Sequence, residues 1–360
     1  MKLVICGLSI TSSWENAHAA LYRALVRGLT ARGHDVLFLE RDIPWHAAHR
    51  DLPVPPFGRT RLYGSLEELD ELYRAEVAEA ELTIVGSCVP QGTAVGRWAI
   101  EHAGGAAAFY DLDTPLTLTR VRGGKCDYLS GELIPRYDLY LSATGGGVLR
   151  RLESTFGSPM ARALYGGADA AACRPVDVPQ QWDLGHLGGY RPDRQLGLDR
   201  LLLEPARLWP QGRFIVVGRQ YPPQVRWPAN VRRLEELGDD GPAAFFSAQR
   251  MTLNLTRADL ARAGWCPSLR MFQAAACGTP ILSDWWQGLD NFFRIGQEIL
   301  VARTAREALE LVRHCGPAMR ERIGGLARRR VLAEHTAEHR AMQLEGHVHD
   351  ALARRRPAVA

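Results

Sequence analysis

Apolar positions follow two rhythms along this chain. Short unbroken apolar runs, the kind a strand covered on both faces requires, recur at 2–8 (KLVICGL), 34–40 (HDVLFLE), 81–87 (ELTIVGS), 105–113 (GAAAFYDLD) and 137–143 (YDLYLSA). Between most of them apolar residues return at helical spacing, over 13–30, 66–80, 93–103 and 148–156, with a polar SITSS loop after the first run. This alternation predicts a doubly wound α/β domain. Prolines and polar residues break the pattern over 172–183 (ACRPVDVPQQWD), which reads as a linker. A second series follows, with runs at 183–189, 213–218, 230–237, 251–256, 280–284 and 298–302 and helical patterns near 195–207, 240–250 and 267–277. From Thr304 the pattern is helical and rich in arginine. The expected division is a first domain over 1–172, a second over 173–335 and a helical tail over 336–360.

The stretch 266–284, CPSLRMFQAAACGTPILSD, carries the sharpest local signals. Pro267 suits the first position of a helix, and Gly278 followed by Pro280 stops it. Leu269, Phe272 and Ala276 make one apolar face, and Ala274, Ala275 and Ala276 allow a close neighbour. Flanked by strand-like runs, this is a parallel-sheet unit, and such sheets bind ligands at the carboxyl ends of their strands. Two doubly wound, Rossmann-like domains would face each other across a central cleft suited to a large polar ligand.

Composition narrows the classes. The chain is 46% hydrophobic and 23% charged, ordinary for a globular protein, and its net charge of +4 is mild. Lys2 and Lys125 are the only lysines, so the positive charge is arginine, which a GC-rich genome supplies as readily as phosphate binding does; this argues against nucleic acid as a partner. No run approaches the ~20 apolar residues of a membrane span, and the first residues are too short an apolar run for a signal peptide. A cytoplasmic protein is expected. Seven cysteines without a C-x-x-C pair fit scattered thiols better than a disulfide frame or zinc site. The first strand lacks the G-x-G-x-x-G of a dinucleotide site, and TGGG at 144–147 has neither the spacing nor a suitable later acid.

CPSLRMFQAAACGTPILSD followed by GLDNFFRIGQEILV resembles the C-terminal domain of GT-B glycosyltransferases, particularly the branch similar to the CgeB spore-maturation protein. LGGYRPDR (187–194), FIVVG (214–218), NVRRLEELG (230–238) and LNLTR (253–257) fall in the order such enzymes show, and ARGHDVLFLERD (31–42) and YGGADAAACRP (165–175) are also similar. The resemblance implies the GT-B arrangement, with a nucleotide-diphosphate sugar, a UDP-sugar foremost, held mainly by the second domain and an acceptor hydroxyl or similar nucleophile by the first. It implies transfer without a required metal or other cofactor. The acceptor, whether small molecule, glycan or protein, is not readable.

Residue chemistry fits that implication. A nucleotide diphosphate needs cations and free N–H groups, and a helix start supplies donors and partial positive charge. Ser268, Leu269 and Arg270 lie at the start of the 267–277 helix, while Asn254 and Thr256 end the preceding strand. The resemblance places Gly189 and Arg194 beside the diphosphate, where arginine can bond in bidentate fashion. Arg194 and Arg270 also fit a structural ion pair, and Ser268 a helix cap. Gln273 stands where related enzymes usually carry a glutamate that receives the donor ribose; glutamine keeps an acceptor oxygen and loses the charge. That departure opens an alternative, a non-catalytic GT-B-like nucleotide-binding or surface-assembly protein.

For the base, His18 follows a Ser12–Glu15 capping-box pattern, and many inverting GT-B enzymes use a histidine in that region; stacking near Tyr22 is the plain alternative. Asp111 and Asp113 at a strand end are further candidates for an acceptor-binding or base role, although Asp113 or Thr114 also fits a helix cap before Pro115. Trp285 and Trp286 fit either a sugar-pocket wall or the core.

Overall fold

Leu3 and Ile5 pack on one side of the first strand, Val4 and Cys6 on the other, and all four are fully buried. Helices cover both faces of such a strand, so no position in it tolerates a polar residue without a partner, and the apolar run is unbroken for that reason. The computed structural model describes residues 1–14, 16–237 and 241–355. They divide into two units, Met1–Gly167 joined by the last helix, and Ala168–Thr336.

The first unit contains β1 (Lys2–Gly7), β2 (Asp35–Arg41), β3 (Arg59–Tyr63), β4 (Leu82–Gly86), β5 (Ala106–Asp111), β6 (Leu139–Ser142) and β7 (Ala161–Ala163). They form a parallel sheet in the order β3-β2-β1-β4-β5-β6-β7. The two edge strands are the ones the apolar pattern does not reveal. RTRLY and ARA are polar or short because an edge is only partly covered.

In the second unit β8 (Leu184–Leu187), β9 (Phe214–Val217), β10 (Val231–Leu234), β11 (Thr252–Asn254), β12 (Ile281–Ser283) and β13 (Leu300–Val301) form a parallel sheet in the order β10-β9-β8-β11-β12-β13. Both sheets are doubly wound. Strand order reverses between β1 and β4 and between β8 and β11, and a crevice opens at the carboxyl ends of each such pair.

The two crevices differ in what they leave unsatisfied. After β1, the SITSS loop closes on Glu40, a fully buried carboxylate at the end of β2. Glu40 accepts from Ser9 Oγ at 2.9 Å, Ile10 N at 2.7 Å, Thr11 N at 3.0 Å and Thr11 Oγ1 at 2.7 Å. Ser12 N donates to Ser9 Oγ and Ser13 N to Asp51, so the amides of residues 10 to 13 are used internally. Where a dinucleotide-binding unit would present amides to a pyrophosphate, this one holds its own anion, in keeping with the missing glycine motif. Glu40→Gln puts an amide N–H₂ against donors and is expected to cost about 2 kcal/mol of stability, measurable by denaturant unfolding.

The helix expected from residue 13 begins at His18. Ser12 does not cap it; its hydroxyl donates to His49 O at 2.7 Å, and Asn16 Oδ1 instead accepts from Ala19 N at 3.0 Å. Glu15, the other half of the expected capping box, lies outside the described residues, as does Gly238 at the end of the 230–238 motif.

The helix Ala337–Arg355 belongs to the first unit rather than standing apart as a tail with a solvated basic face. Ala341, Leu344, Val348 and Ala351 complete the core on the Leu3 and Ile5 side of the sheet, with burial of Leu344 and Val348 each contributing about 2 kcal/mol. Gly28 permits the approach, since a Cβ there would sit 2.6 Å from Ala337 O. The charged residues are used as well. Arg32 pairs with Glu345, Arg340 is 2% exposed and donates to Gly166 O at 3.0 Å, and Arg354 donates to Pro159 O at 2.7 Å.

Candidate functional site

In the second unit the residues at the β8/β11 crevice converge. Ser268 is the N-cap of the helix Leu269–Ala276, with Pro267 just outside it rather than at its first position. Its Oγ accepts from Met271 N at 3.4 Å and donates to Asn254 Oδ1 at 2.8 Å, so one hydroxyl caps the helix and ties it to the end of β11. The amides of Leu269 and Arg270 have no backbone acceptor among the described residues, which leaves donors at the positive end of the helix dipole. Gln273 lies one turn further in, half-buried, and its side-chain amide bonds to no described residue.

Two guanidinium groups face the same loop. Arg270 Nη1 donates to Leu187 O at 2.7 Å, and Arg194 Nη2 donates to Gly189 O at 2.7 Å. Both acceptors are neutral carbonyls, and among the described residues neither arginine forms an ion pair. Burial, followed by repulsion from Arg270, lowers the Arg194 pKa to about 10, and burial lowers that of Arg270 as well. His186, at the carboxyl end of β8, is pushed down to about 3, first by burial and then by Arg194, and is therefore neutral. Its Nδ1 lies 2.9 Å from Leu253 O; the neutral ring donates there and turns Nε2 toward the loop. Gly188 is required beside it, because a Cβ would stand 2.8 Å from His186 Nε2 and 3.0 Å from Arg270 Nη1. The crevice thus concentrates uncompensated positive charge, and an anion with more than one negative charge is its natural complement.

Thr256 is fixed by a residue that sequence reasoning passed over. Asp284, just past β12, accepts from Thr256 N at 3.1 Å through both oxygens and from Thr256 Oγ1 at 3.0 Å. An acid placed where an apolar strand ends was its only signal, and His186 showed one of the same kind as a polar residue inside LGHL. Of the tryptophan pair, Trp286 is buried against Phe292 while Trp285 is 51% exposed with Arg303 over its ring. Trp286 is core, and only Trp285 is free to meet a ligand.

The first-unit candidates separate too. Asp111 is fully buried and accepts from Tyr140 OH at 2.6 Å, Thr117 Oγ1 at 2.9 Å and Asp113 N at 3.0 Å; burial raises its pKa to about 6. It organises the end of β5 and has no face toward an acceptor, which corrects the expectation that it acts on one. Asp113 precedes the helix Thr114–Arg122 without capping it through its side chain. His18 opens its helix half-buried, its Nδ1 buried with no hydrogen-bond partner and its ring 6.4 Å from Tyr22. Burial, with His46 beside it, lowers its pKa to about 4. Among the described residues no three His, Cys, Asp or Glu side chains are placed to hold a metal ion.

Residues 194–346 match a family model described as glycosyl transferase-like. The fold is that of the GT-B glycosyltransferases. Sucrose-phosphate synthase from Thermosynechococcus elongatus aligns over 98% of this chain and 100% of its own at 17% identity, with a TM-score of 0.68. Anabaena HepE in complex with UDP-glucose aligns over 96% and 99% at 14% identity, TM-score 0.69. An alpha-glucosyltransferase in complex with UDP-glucose and DNA containing an abasic site aligns over 96% and 98% at 10% identity, TM-score 0.72. No curated protein sequence matches the chain.

Proposed function

We propose that this protein is a metal-independent GT-B glycosyltransferase of the CgeB-like branch, moving a sugar from a nucleotide-diphosphate donor, a UDP-sugar foremost, to an acceptor hydroxyl. One observation carries the reading. Among the described residues, the second-unit crevice holds Arg194 and Arg270 without carboxylate partners beside two free helix amides, whereas the matching crevice of the first unit is filled by Glu40. A diphosphate needs the former and is excluded from the latter. Solved structures of the same fold with UDP or UDP-glucose bound support the choice of nucleotide.

As the bond from the sugar's anomeric carbon to the β-phosphate oxygen breaks, negative charge grows on the leaving diphosphate. Arg194, Arg270 and the amides of Leu269 and Arg270 stabilise it, so the cationic role a metal fills elsewhere is taken by the chain. The acceptor oxygen bonds to the anomeric carbon and its proton passes to the His18 imidazole in an inverting reaction, or to the leaving phosphate in a retaining one. Asn254, Thr256, Ser268 and Gln273 line the donor, Gln273 offering its amide to the ribose. The cytoplasm, where nucleotide sugars are made, is the compartment this reading assigns.

Calorimetric titration with UDP, TDP, GDP and NAD tests it. One nucleotide diphosphate binds, NAD does not, and Arg194→Ala weakens that binding at least about tenfold. If none binds, the reading fails and the non-catalytic alternative takes its place.

A further inference from the structure

The hydrogen bonds behind the helix Leu269–Ala276 run in one direction. Met271 N donates to Ser268 Oγ and Ser268 Oγ donates to Asn254 Oδ1 at 2.8 Å. At its other end Asn254 Nδ2 donates to Ser283 Oγ at 3.0 Å, and Ser283 Oγ donates to Asp284 Oδ1 at 3.4 Å. Asp284 also takes the N–H and hydroxyl of Thr256, so every proton in the chain points toward this one carboxylate. Each hydroxyl in such a relay can donate one way only, and the terminal acceptor therefore fixes the orientation of all the others. With its proton committed to Asn254, Ser268 keeps its oxygen lone pairs for the helix cap, and the amides of Leu269 and Arg270 stay aimed at the crevice.

We propose that Asp284 is a positioning residue of the donor site, the anion that sets the proton order of the Ser268–Asn254–Ser283 relay and holds Thr256 and the helix start in the geometry that receives the diphosphate. The role rests on the donor-site reading given above. Among the described residues no cation pairs with Asp284. The titratable group facing it is the Cys266 thiol, pushed up to about 12 chiefly by burial and hence neutral, with Asp259 and Arg257 beyond, paired to each other at 2.5 Å. Burial raises the Asp284 pKa to about 6. A carboxyl whose pKa is higher folded than unfolded stabilises the fold while protonated and loses that contribution as pH rises through about 6. The ionised form that orders the relay thus costs stability at neutral pH, as strained functional groups do.

The test is UDP-glucose titration from pH 5 to 8 with wild type, Asp284→Asn and Asp284→Ala. UDP-glucose has no ionising group in that window, and His186 is already neutral across it. The wild type is expected to lose affinity about tenfold as pH falls through 6. Asp284→Asn should bind about tenfold more weakly at pH 7.5 and show a flat pH profile. Asp284→Ala, which offers no acceptor, should bind more weakly still. Wild-type binding with an Asp284→Asn profile that overlays it overturns the role while leaving the donor site standing. An Asp284→Asn variant that binds weakly but still loses affinity as pH falls through 6 assigns the pH dependence to another group and overturns it too. Failure of the wild type to bind any UDP-sugar removes the donor site and this role together.

Discussion

Arg270→Ala weakens UDP-sugar binding by about 10- to 100-fold, the range expected when a charge-assisted hydrogen bond to a phosphate is lost. For a ligand near 100 times its Kd, the upper end of that loss removes most of the roughly 2.7 kcal/mol that binding adds to stability, so the ligand-induced rise in melting temperature nearly vanishes. The free protein responds in the opposite sense. Arg270 repels Arg194 in the crevice, and removing it relieves the Coulomb term that helps lower the Arg194 pKa. The effects of Arg194→Ala and Arg270→Ala should therefore not sum, because the two cations act on one diphosphate and on each other. Titration of both single variants and the double variant checks this; fully additive losses would show that the arginines serve separate ligands.

His18→Ala reduces turnover by about 10²- to 10⁴-fold while donor affinity stays within twofold, if the reaction inverts configuration. His18 Nδ1 is buried without a partner, and its pKa of about 4 keeps it neutral through the physiological range. A base is lost only as pH falls through its pKa, so the His18 limb of turnover at saturating donor lies near pH 4, below the limb near pH 6 that Asp284 imposes on donor affinity. Steady-state assays over pH separate the two, since one moves kcat and the other the KM for donor. Undiminished turnover in His18→Ala would remove His18 as the base and leave Asp113 or the leaving phosphate to take the proton.

The sequence showed the fold most clearly where strands are covered on both faces. β1, β2, β4, β5 and β6 stand out because apolar demand is continuous there, while β3 and β7 at the sheet edges carry no such demand. The convergence of Ser268, Arg270 and Asn254 on the second-unit crevice was legible, because a helix stop, a helix start and a strand end are local signals. Asp284 and His186 were not, since each acts through a partner distant in sequence: Thr256 in one case, Leu253 in the other. Asp111 misled for the converse reason. A carboxylate at a strand end looks the same in sequence whether it faces a substrate or, as here, Tyr140 and Thr117.

The return of the helix Ala337–Arg355 to the first unit also fixes an order of assembly on the ribosome. Synthesis delivers β1 through β7 early, but one side of their sheet lacks Leu344 and Val348 until the whole second unit has been made. The second unit, contiguous over Ala168–Thr336, is free to fold first, and the earlier segment waits with an apolar face open to chaperones or aggregation. Truncation after Thr336 should accordingly yield a chain that aggregates through its first unit even though its second is able to fold.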